Sequence, residues 1–312
     1  MKNNEIKFRL MKKGEEKEVL KVYNEIFELN ASLKQLKWKY YKCPGGFRIY
    51  LALNNYDKVI GIYCNQFKDG IFYGKKCKVL NVVDVCIEEK YRGEYLLKAI
   101  DLNNNDKNFF SINFPREYLL NYISKHPIID NILGVKSYHK MIENKLIYKK
   151  SEFLMSNVKK LNKKIKASID FFWEEKQSEI KAGVIRNSDY LQWRVLESPE
   201  TMKLFIIKKD NKLIGYFSIL IKEKICYITD ILILNRYLTK EIIDEIEKTI
   251  ILENNKVNEI KILINDKKLV KSLNYFGYNP YLNNKIIFDN RINKLKNPEI
   301  YITLTDSDLS FI

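Results

Sequence analysis

Histidine is almost missing from this chain: two residues, His126 and His139, in 312. The five cysteines, Cys43, Cys64, Cys77, Cys86 and Cys226, form no C-x-x-C pair and no zinc-finger spacing. A His/Cys metal site is therefore not expected, and the thiols read as reduced and structural. No apolar run approaches the roughly 20 residues that span a bilayer. The first residues, MKNNEIKFRL, lack the apolar core of a signal peptide. Together these absences predict a cytoplasmic protein. Nor does any run interleave arginine with stacking aromatics, as a sequence-reading nucleic-acid module requires.

What is present is apolar mass and positive charge. Apolar residues make up 46% of the chain, and its length suits two ordinary domains. The net charge of +16 has two readings. One is an acidic partner such as a nucleotide, coenzyme A, nucleic acid or an anionic carrier. The other is a Lys-, Asn- and Ile-rich composition in which lysine outnumbers arginine for no functional reason.

An internal repeat organises the sequence. LKWKYYKCP, from Leu36, matches LQWRVLESP, from Leu191. Trp38 meets Trp193, Lys39 meets Arg194 and Pro44 meets Pro199. Each copy then gives a strand-like run around one glycine, KVIGIYC with Gly61 and KLIGYFSIL with Gly215. VLNVVDVCIEEKYR aligns without gaps to ICYITDILILNRYL, so Asp84 meets Asp230 and Tyr91 meets Tyr237. FFSINFP resembles IKILIND and sets Asn113 opposite Asn265. The expected halves are 1–155 and 168–312, joined by a polar, basic connector at 156–167.

Each copy opens with an amphipathic helix; in the first, Val19, Tyr23, Ile26 and Phe27 share one face. β-branched, aromatic strands follow, separated by Asn, Asp and Gly turns. In TKEIIDEIEKTIILEN, Ile242, Ile243, Ile246 and Ile250 share a helical face, and Thr239 is placed to cap it. The class is α+β, a mixed sheet with helices on both faces.

The stretch EEKYRGEYLLKAI, residues 88–100, poses a specific question. Arg92-Gly93 sits between a strand and a helix, where the first helical N–H groups can bind phosphate oxygens. The alternative is a plain strand-to-helix turn.

The order strand–strand–strand–YRG–helix–strand–helix resembles the GNAT superfamily of N-acetyltransferases. More narrowly, the chain resembles a tandem-GNAT group associated with bacterial surface-glycan genes. LKWKYYKCP, KVIGIYC, EEKYRG and INFP carry the resemblance in the first half. FFWEE, SDYLQWR, LIGYFSI and ITLTDSD carry it in the second. It implies two GNAT-like units, each a mostly antiparallel mixed sheet flanked by helices. It also implies a loop whose amides hold the coenzyme A pyrophosphate, here Arg92, Gly93, Glu94, Tyr95 and Leu96. The family pattern wants small residues where Tyr95 and Leu97 stand. The second copy reads NRYLTKEI there, without glycine, and is expected to bind no coenzyme.

The implied reaction moves an acyl group, acetyl first, from acetyl-CoA to a small amine, most simply an amino sugar or sugar nucleotide, with no metal. A peptide N–H of Val85, Cys86 or Ile87 would polarise the thioester carbonyl. Asp84, mid-strand among apolar residues, is the candidate base, with Glu88 in reserve. Asp84 has a structural alternative, pairing of an inward Asp with Lys39 or Arg194. Tyr118 and Tyr122, one turn apart, are candidates to protonate the leaving thiolate. Trp38 and Trp193 read as core anchors. Two other functions stand beside this one: an aminoacyl-tRNA-dependent transferase, which would make tRNA a partner, and a non-catalytic GNAT-like binding module. A tandem pair predicts a monomer or weak dimer.

Overall fold

The computed structural model describes residues 6–102, 109–115, 120, 131–142, 151–290 and 299–307. In chain order the strands begin with β1 (Lys7–Leu10), β2 (Phe47–Leu53), β3 (Val59–Phe72), β4 (Lys75–Ile87), β5 (Phe109–Asn113) and β6 (Asn131–Met141). They continue with β7 (Leu154–Val158), β8 (Ala182–Val184), β9 (Lys203–Lys209) and β10 (Lys212–Lys222). The last are β11 (Ile225–Ile233), β12 (Glu259–Leu263), β13 (Asn279–Asn290) and β14 (Ile300–Tyr301). The chain forms two compact units. The first comprises residues 1–69, 77–132 and 286–297; the second comprises 70–76, 133–285 and 298–312.

The first unit orders its strands β1-β2-β3-β4-β5 and closes with the end of β13. β4 and β5 are parallel, while β1/β2, β2/β3 and β5/β13 are antiparallel. The second unit orders its strands β7-β9-β10-β11-β12 and closes with β6. Here β11/β12 are parallel, and β7/β9, β9/β10, β10/β11 and β12/β6 are antiparallel. The strand order is the same twice, in a mixed, mostly antiparallel sheet. Each sheet takes its closing strand from the other half of the chain. The compact units therefore differ from the contiguous halves 1–155 and 168–312. The stretch read as a connector begins inside β7, which pairs with β9 from Leu154 to Val158. Lys159 and Lys160 follow at once, and their charge masked a short edge strand.

Helix α1 (Glu16–Phe27) buries Val19 and Val22, with Tyr23, Ile26 and Phe27 packed beside them. Helix α2 (Leu33–Lys39) starts at Ser32, whose hydroxyl accepts the Gln35 N–H while the Gln35 side chain returns to the Ser32 N–H. Helix α3 (Arg92–Asp101) follows a single tight turn, Glu89–Tyr91. In the second unit the helix Lys240–Glu253 buries Ile242, Ile243, Ile246 and Ile250, although the Thr239 side chain makes no capping bond. Both tryptophans of the repeat are buried, Trp38 and Trp193.

Gly61 and Gly215 have the same reason to be glycine. A Cβ at Gly61 would lie 2.6 Å from the Cys86 carbonyl oxygen, and one at Gly215 would lie 2.7 Å from that of Leu232. Both glycines let a neighbouring strand lie close. The asparagine match is looser. Leu80 pairs with Ser111, and its aligned counterpart Cys226 pairs with Ile260. Asn113 is thus two residues past its pair and Asn265 five past its own. A short polar residue after an apolar run carries no register information.

Candidate active site

The candidate site lies where two strands part. β4 pairs with β5 at Lys78–Phe109, Val79–Phe110 and Leu80–Ser111. β4 then runs on to Ile87 with no further β5 pair among the described residues. Two asparagines bridge the point of departure. The Asn81 side-chain amide donates to the Ile112 carbonyl, and the Val82 N–H donates to Asn113 Oδ1 at 2.7 Å. Further along, the Glu88 N–H donates to the Ile60 carbonyl at 2.9 Å, across β3. The Cys86 carbonyl lies against Gly61 and the Glu88 N–H on Ile60, so Ile87 and, by the same alternation, Val85 turn their N–H groups toward the edge that β5 has left. The Val82 N–H also faces β5, so the alternation slips by one residue between Val82 and Val85. Cys86 faces β3 between them. Burial first, and the Asp84 carboxylate second, push its thiol up to about 12, so at neutral pH it is no nucleophile.

Helix α3 begins directly beyond this edge. The Arg92 N–H is already used, donating to the Glu89 carbonyl, so the first turn offers amides from Gly93 onward. The Arg92 side chain is exposed and lies 3.5 Å from Glu89. Tyr95, expected to crowd the approach, turns inward instead: it is 2% exposed and donates its hydroxyl to the Ile62 carbonyl. Its ring stacks on Phe8 with centroids 5.5 Å apart. A large residue is tolerated because it lies on the face of α3 that packs on the core, against Phe8 and β3. Gly93, Glu94 and Leu96 lie in the same helix. Tyr118, Tyr122 and His126 lie outside the described residues.

Asp84 faces helices α1 and α2 from β4 and is buried. Its Oδ1 accepts the Lys39 ammonium at 2.8 Å, and its Oδ2 accepts the Tyr40 hydroxyl. Lys39 keeps 15% of its side chain exposed and lies 5.9 Å from the Tyr23 ring. Burial first, then Asp84 and Cys64, raise the Tyr40 phenol well above its ordinary value, so it remains a donor. The pairing of an inward Asp with Lys39 is therefore real. Tyr40 was not singled out in the sequence, where it is merely the residue after Lys39. Glu88, the reserve base, is tied to Lys58 at 2.8 Å and to Lys90 at 3.4 Å. Those lysines, Lys58 first, hold its carboxyl below the usual range, which weakens it as a proton acceptor.

The second unit parts its strands in the same place. β11 pairs with β12 from Ile225–Glu259 to Ile228–Ile262 and then leaves it. There the chain itself enters. The Ile302 N–H donates to Asn265 Oδ1 at 2.9 Å, Thr303 bridges to Ile264, and the Tyr301 hydroxyl donates to the Ile231 carbonyl. Asp230 pairs with Arg186, whose Nε lies 3.2 Å from both carboxylate oxygens. Arg194 donates to the carbonyls of Thr305 and Ser307. Arg186 carried no signal in the sequence, because the repeat gives it no partner.

No family model matches the chain, and no curated protein matches it in sequence. Solved structures do. A conserved Enterococcus faecalis protein, described as a probable N-acyltransferase, aligns at 16% identity and a TM-score of 0.70, over 92% of this chain and 73% of that one. A GCN5-related glucosamine N-acetyltransferase region of a fungal multi-domain β-N-acetylglucosaminidase aligns at 10% identity and 0.60, over 92% and 38%. Saccharomyces cerevisiae N-myristoyltransferase with bound myristoyl-CoA aligns at 12% identity and 0.59, over 91% and 79%. The chain has the fold of the GCN5-related N-acetyltransferases.

Proposed function

We propose that the protein is an acyl-CoA-dependent N-acyltransferase of the tandem GNAT kind, using acetyl-CoA and acting on a small amine. The observation that carries the reading is the parting of β4 from β5 in the first unit, with α3 starting just beyond it. Acetyl-CoA supplies an activated thioester carbonyl. Val85 or Ile87 polarises that carbonyl through its peptide N–H, in the manner of an oxyanion hole. The first turn of α3, from Gly93 through Leu96, binds pyrophosphate oxygens, with Arg92 adding positive charge. The burial of Tyr95 supports this, because its ring is packed in the core and not exposed on the outer face of α3.

Asp84 is proposed as the acceptor of the amine proton, held by Lys39 and Tyr40. Tyr118 or Tyr122 is assigned the thiolate proton on the resemblance. An amino sugar is the proposed acceptor class, supported by the similar structure described as a glucosamine N-acetyltransferase region. The second unit is assigned no coenzyme, since segment 299–307 lies at its parted strands.

Calorimetry with acetyl-CoA tests the reading first. Binding should raise folding stability by about 2.7 kcal/mol at a hundredfold excess over the dissociation constant. Asp84→Asn should then lower turnover of glucosamine by about a hundredfold or more, the usual range for a lost general base. Absence of acetyl-CoA binding at millimolar concentration removes the proposal.

A further inference from the structure

β4 and β5 both go on as strands past the place where they part. β5 keeps its far edge on β13, through Ile112–Phe288 and Asn113–Ile287. β4 keeps β3, where the Glu88 N–H reaches the Ile60 carbonyl. The last β4/β5 pair among the described residues is Leu80–Ser111. The Val82 N–H still faces β5, so a regular parallel ladder would next join it to the Ile112 carbonyl. Each of those two groups bonds to an asparagine side chain. The Val82 N–H donates to Asn113 Oδ1 at 2.7 Å, and the Ile112 carbonyl accepts from Asn81 Nδ2. Asn113 Nδ2 donates to Ser111 Oγ at 3.2 Å, which sets the turn of its amide. Asn81, Ser111 and Ile112 are buried.

One ladder bond is thus divided into two side-chain bonds. An amide carries both an acceptor and a donor, so two asparagines can serve a main-chain N–H and a main-chain carbonyl at once. The strands separate without leaving either buried peptide group unsatisfied. Val82 is also the last residue before the alternation of β4 slips, so the bond to Asn113 holds the strand just ahead of Val85 and Ile87. The second sheet parts by other means. Tyr227 stands where Asn81 aligns, and Asn265 accepts the Ile302 N–H from segment 299–307.

We propose that Asn113 and Asn81 are positioning residues for acyl transfer: their amides hold β4 and β5 apart at Val82 and so keep the Val85 and Ile87 N–H groups aimed at the thioester carbonyl. The inference rests on the acyltransferase reading and adds residues that act through the β4 main chain. Their bonds exist before any coenzyme arrives, so the carbonyl meets a donor already in place. Asn113 matters for its oxygen. Without an acceptor there, the Val82 N–H loses its partner and the slip that orients Val85 is no longer held from β5.

Two variants of the full chain test this. Asn113→Leu removes the acceptor at similar volume, whereas Asn113→Asp keeps an oxygen for the Val82 N–H. In hydrogen exchange without ligand, the Val82 amide should lose about tenfold or more of its protection in the leucine chain and keep it in the aspartate chain. With acetyl-CoA saturating and glucosamine as acceptor, kcat should fall about tenfold or more in the leucine chain, while the glucosamine KM stays within about threefold. Asn113→Asp should recover most of the lost kcat. If the leucine chain does not fold, Asn113→Ala, which adds no bulk, is measured in its place. Unchanged Val82 protection or unchanged kcat in a wild-type chain that does bind acetyl-CoA overturns this inference alone. So does an aspartate chain as impaired as the leucine chain. A wild-type chain that binds no acetyl-CoA removes the acyltransferase reading and the inference with it.

Discussion

The two units place an aspartate at the same point of the same strand and surround it differently. Asp84 sits with Lys39, whose side chain is 15% exposed, so the first network reaches solvent. Asp230 sits with Arg186, and both side chains are 0% exposed. The difference comes from what lies over them. Segment 299–307 covers Asp230, while Asp84 bonds to Lys39 at the end of α2 and to Tyr40 just after it. One strand order used twice can thus keep a carboxylate for opposite ends: one network with an outlet to water, the other sealed as structure. The asparagines tell the same story. Asn113 ties β5 to β4 itself, whereas Asn265 ties the second unit to the inserted segment.

The harshest way to break the comparison is to cut the chain between the halves. Residues 1–155 alone lack Ile287–Asn290, which pair with β5 in the first unit. That fragment should show no cooperative unfolding transition by circular dichroism. A cooperatively melting fragment would refute the exchange of closing strands.

Removal of each aspartate should separate the two environments. Asp230→Ala leaves Arg186 buried without its main counter-charge and should cost about 3–5 kcal/mol in urea melts. Asp84→Ala leaves Lys39 some access to water and should cost about 1–3 kcal/mol. Equal losses would mean that the solvent outlet at Lys39 does not matter.

The glycines should behave alike in stability and unlike in function. Gly61→Ala and Gly215→Ala each force a Cβ against a strand carbonyl and should cost about 1–3 kcal/mol. Gly61→Ala alone should also weaken acetyl-CoA binding, because it displaces β4 at Cys86 and Ile87. Calorimetry on both variants reads this directly.

At the helix starts, Gly93→Asp sets a negative charge beside the proposed pyrophosphate site and should weaken acetyl-CoA about tenfold or more, a change of about 1.4 kcal/mol. Arg236→Asp, at the matching turn of the second unit, breaks an exposed pair with Glu175 and a contact over the Tyr237 ring, and should leave binding unchanged. Loss of binding in the Arg236 variant would move the site to the second unit.

The smallest expected effect contrasts an exposed ion pair with the buried one. Arg9 first, and the Lys12 N–H second, hold the Glu15 carboxyl at about 2, below its ordinary 4.5. The folded value is the lower one, so this pair stabilises above pH 4.5 and the contribution fades as pH falls toward 2. Its size should stay under about 1 kcal/mol, as for other surface pairs. An NMR titration should show Glu15 moving up toward its ordinary range in Arg9→Ala, while the Lys12 N–H still holds it somewhat below.

Much of the fold was legible because it is written in local pattern. The apolar period of Ile242, Ile243, Ile246 and Ile250 marks a helix wherever it occurs, and Gly61 and Gly215 mark close strand approach in both copies. The aligned Asp84 and Asp230 set the repeat and so the double use of one topology. Other features were decided only in three dimensions. The direction of Tyr95 depends on how α3 lies on the sheet, which its neighbours in sequence do not record. The partner of Asp230 is Arg186, 44 residues away, with Asp306 a further 120 from Arg186. The closing of each sheet by the other half also joins residues far apart, Asn113 with Ile287 and Lys261 with His139. The sequence by itself determined which segments could be helix or strand, because periodicity acts over one or two turns. Which strand closes which sheet, and which aspartate is sealed, were left to tertiary structure, because long-range pairing and buried charge are settled only when distant segments compete for the same edge.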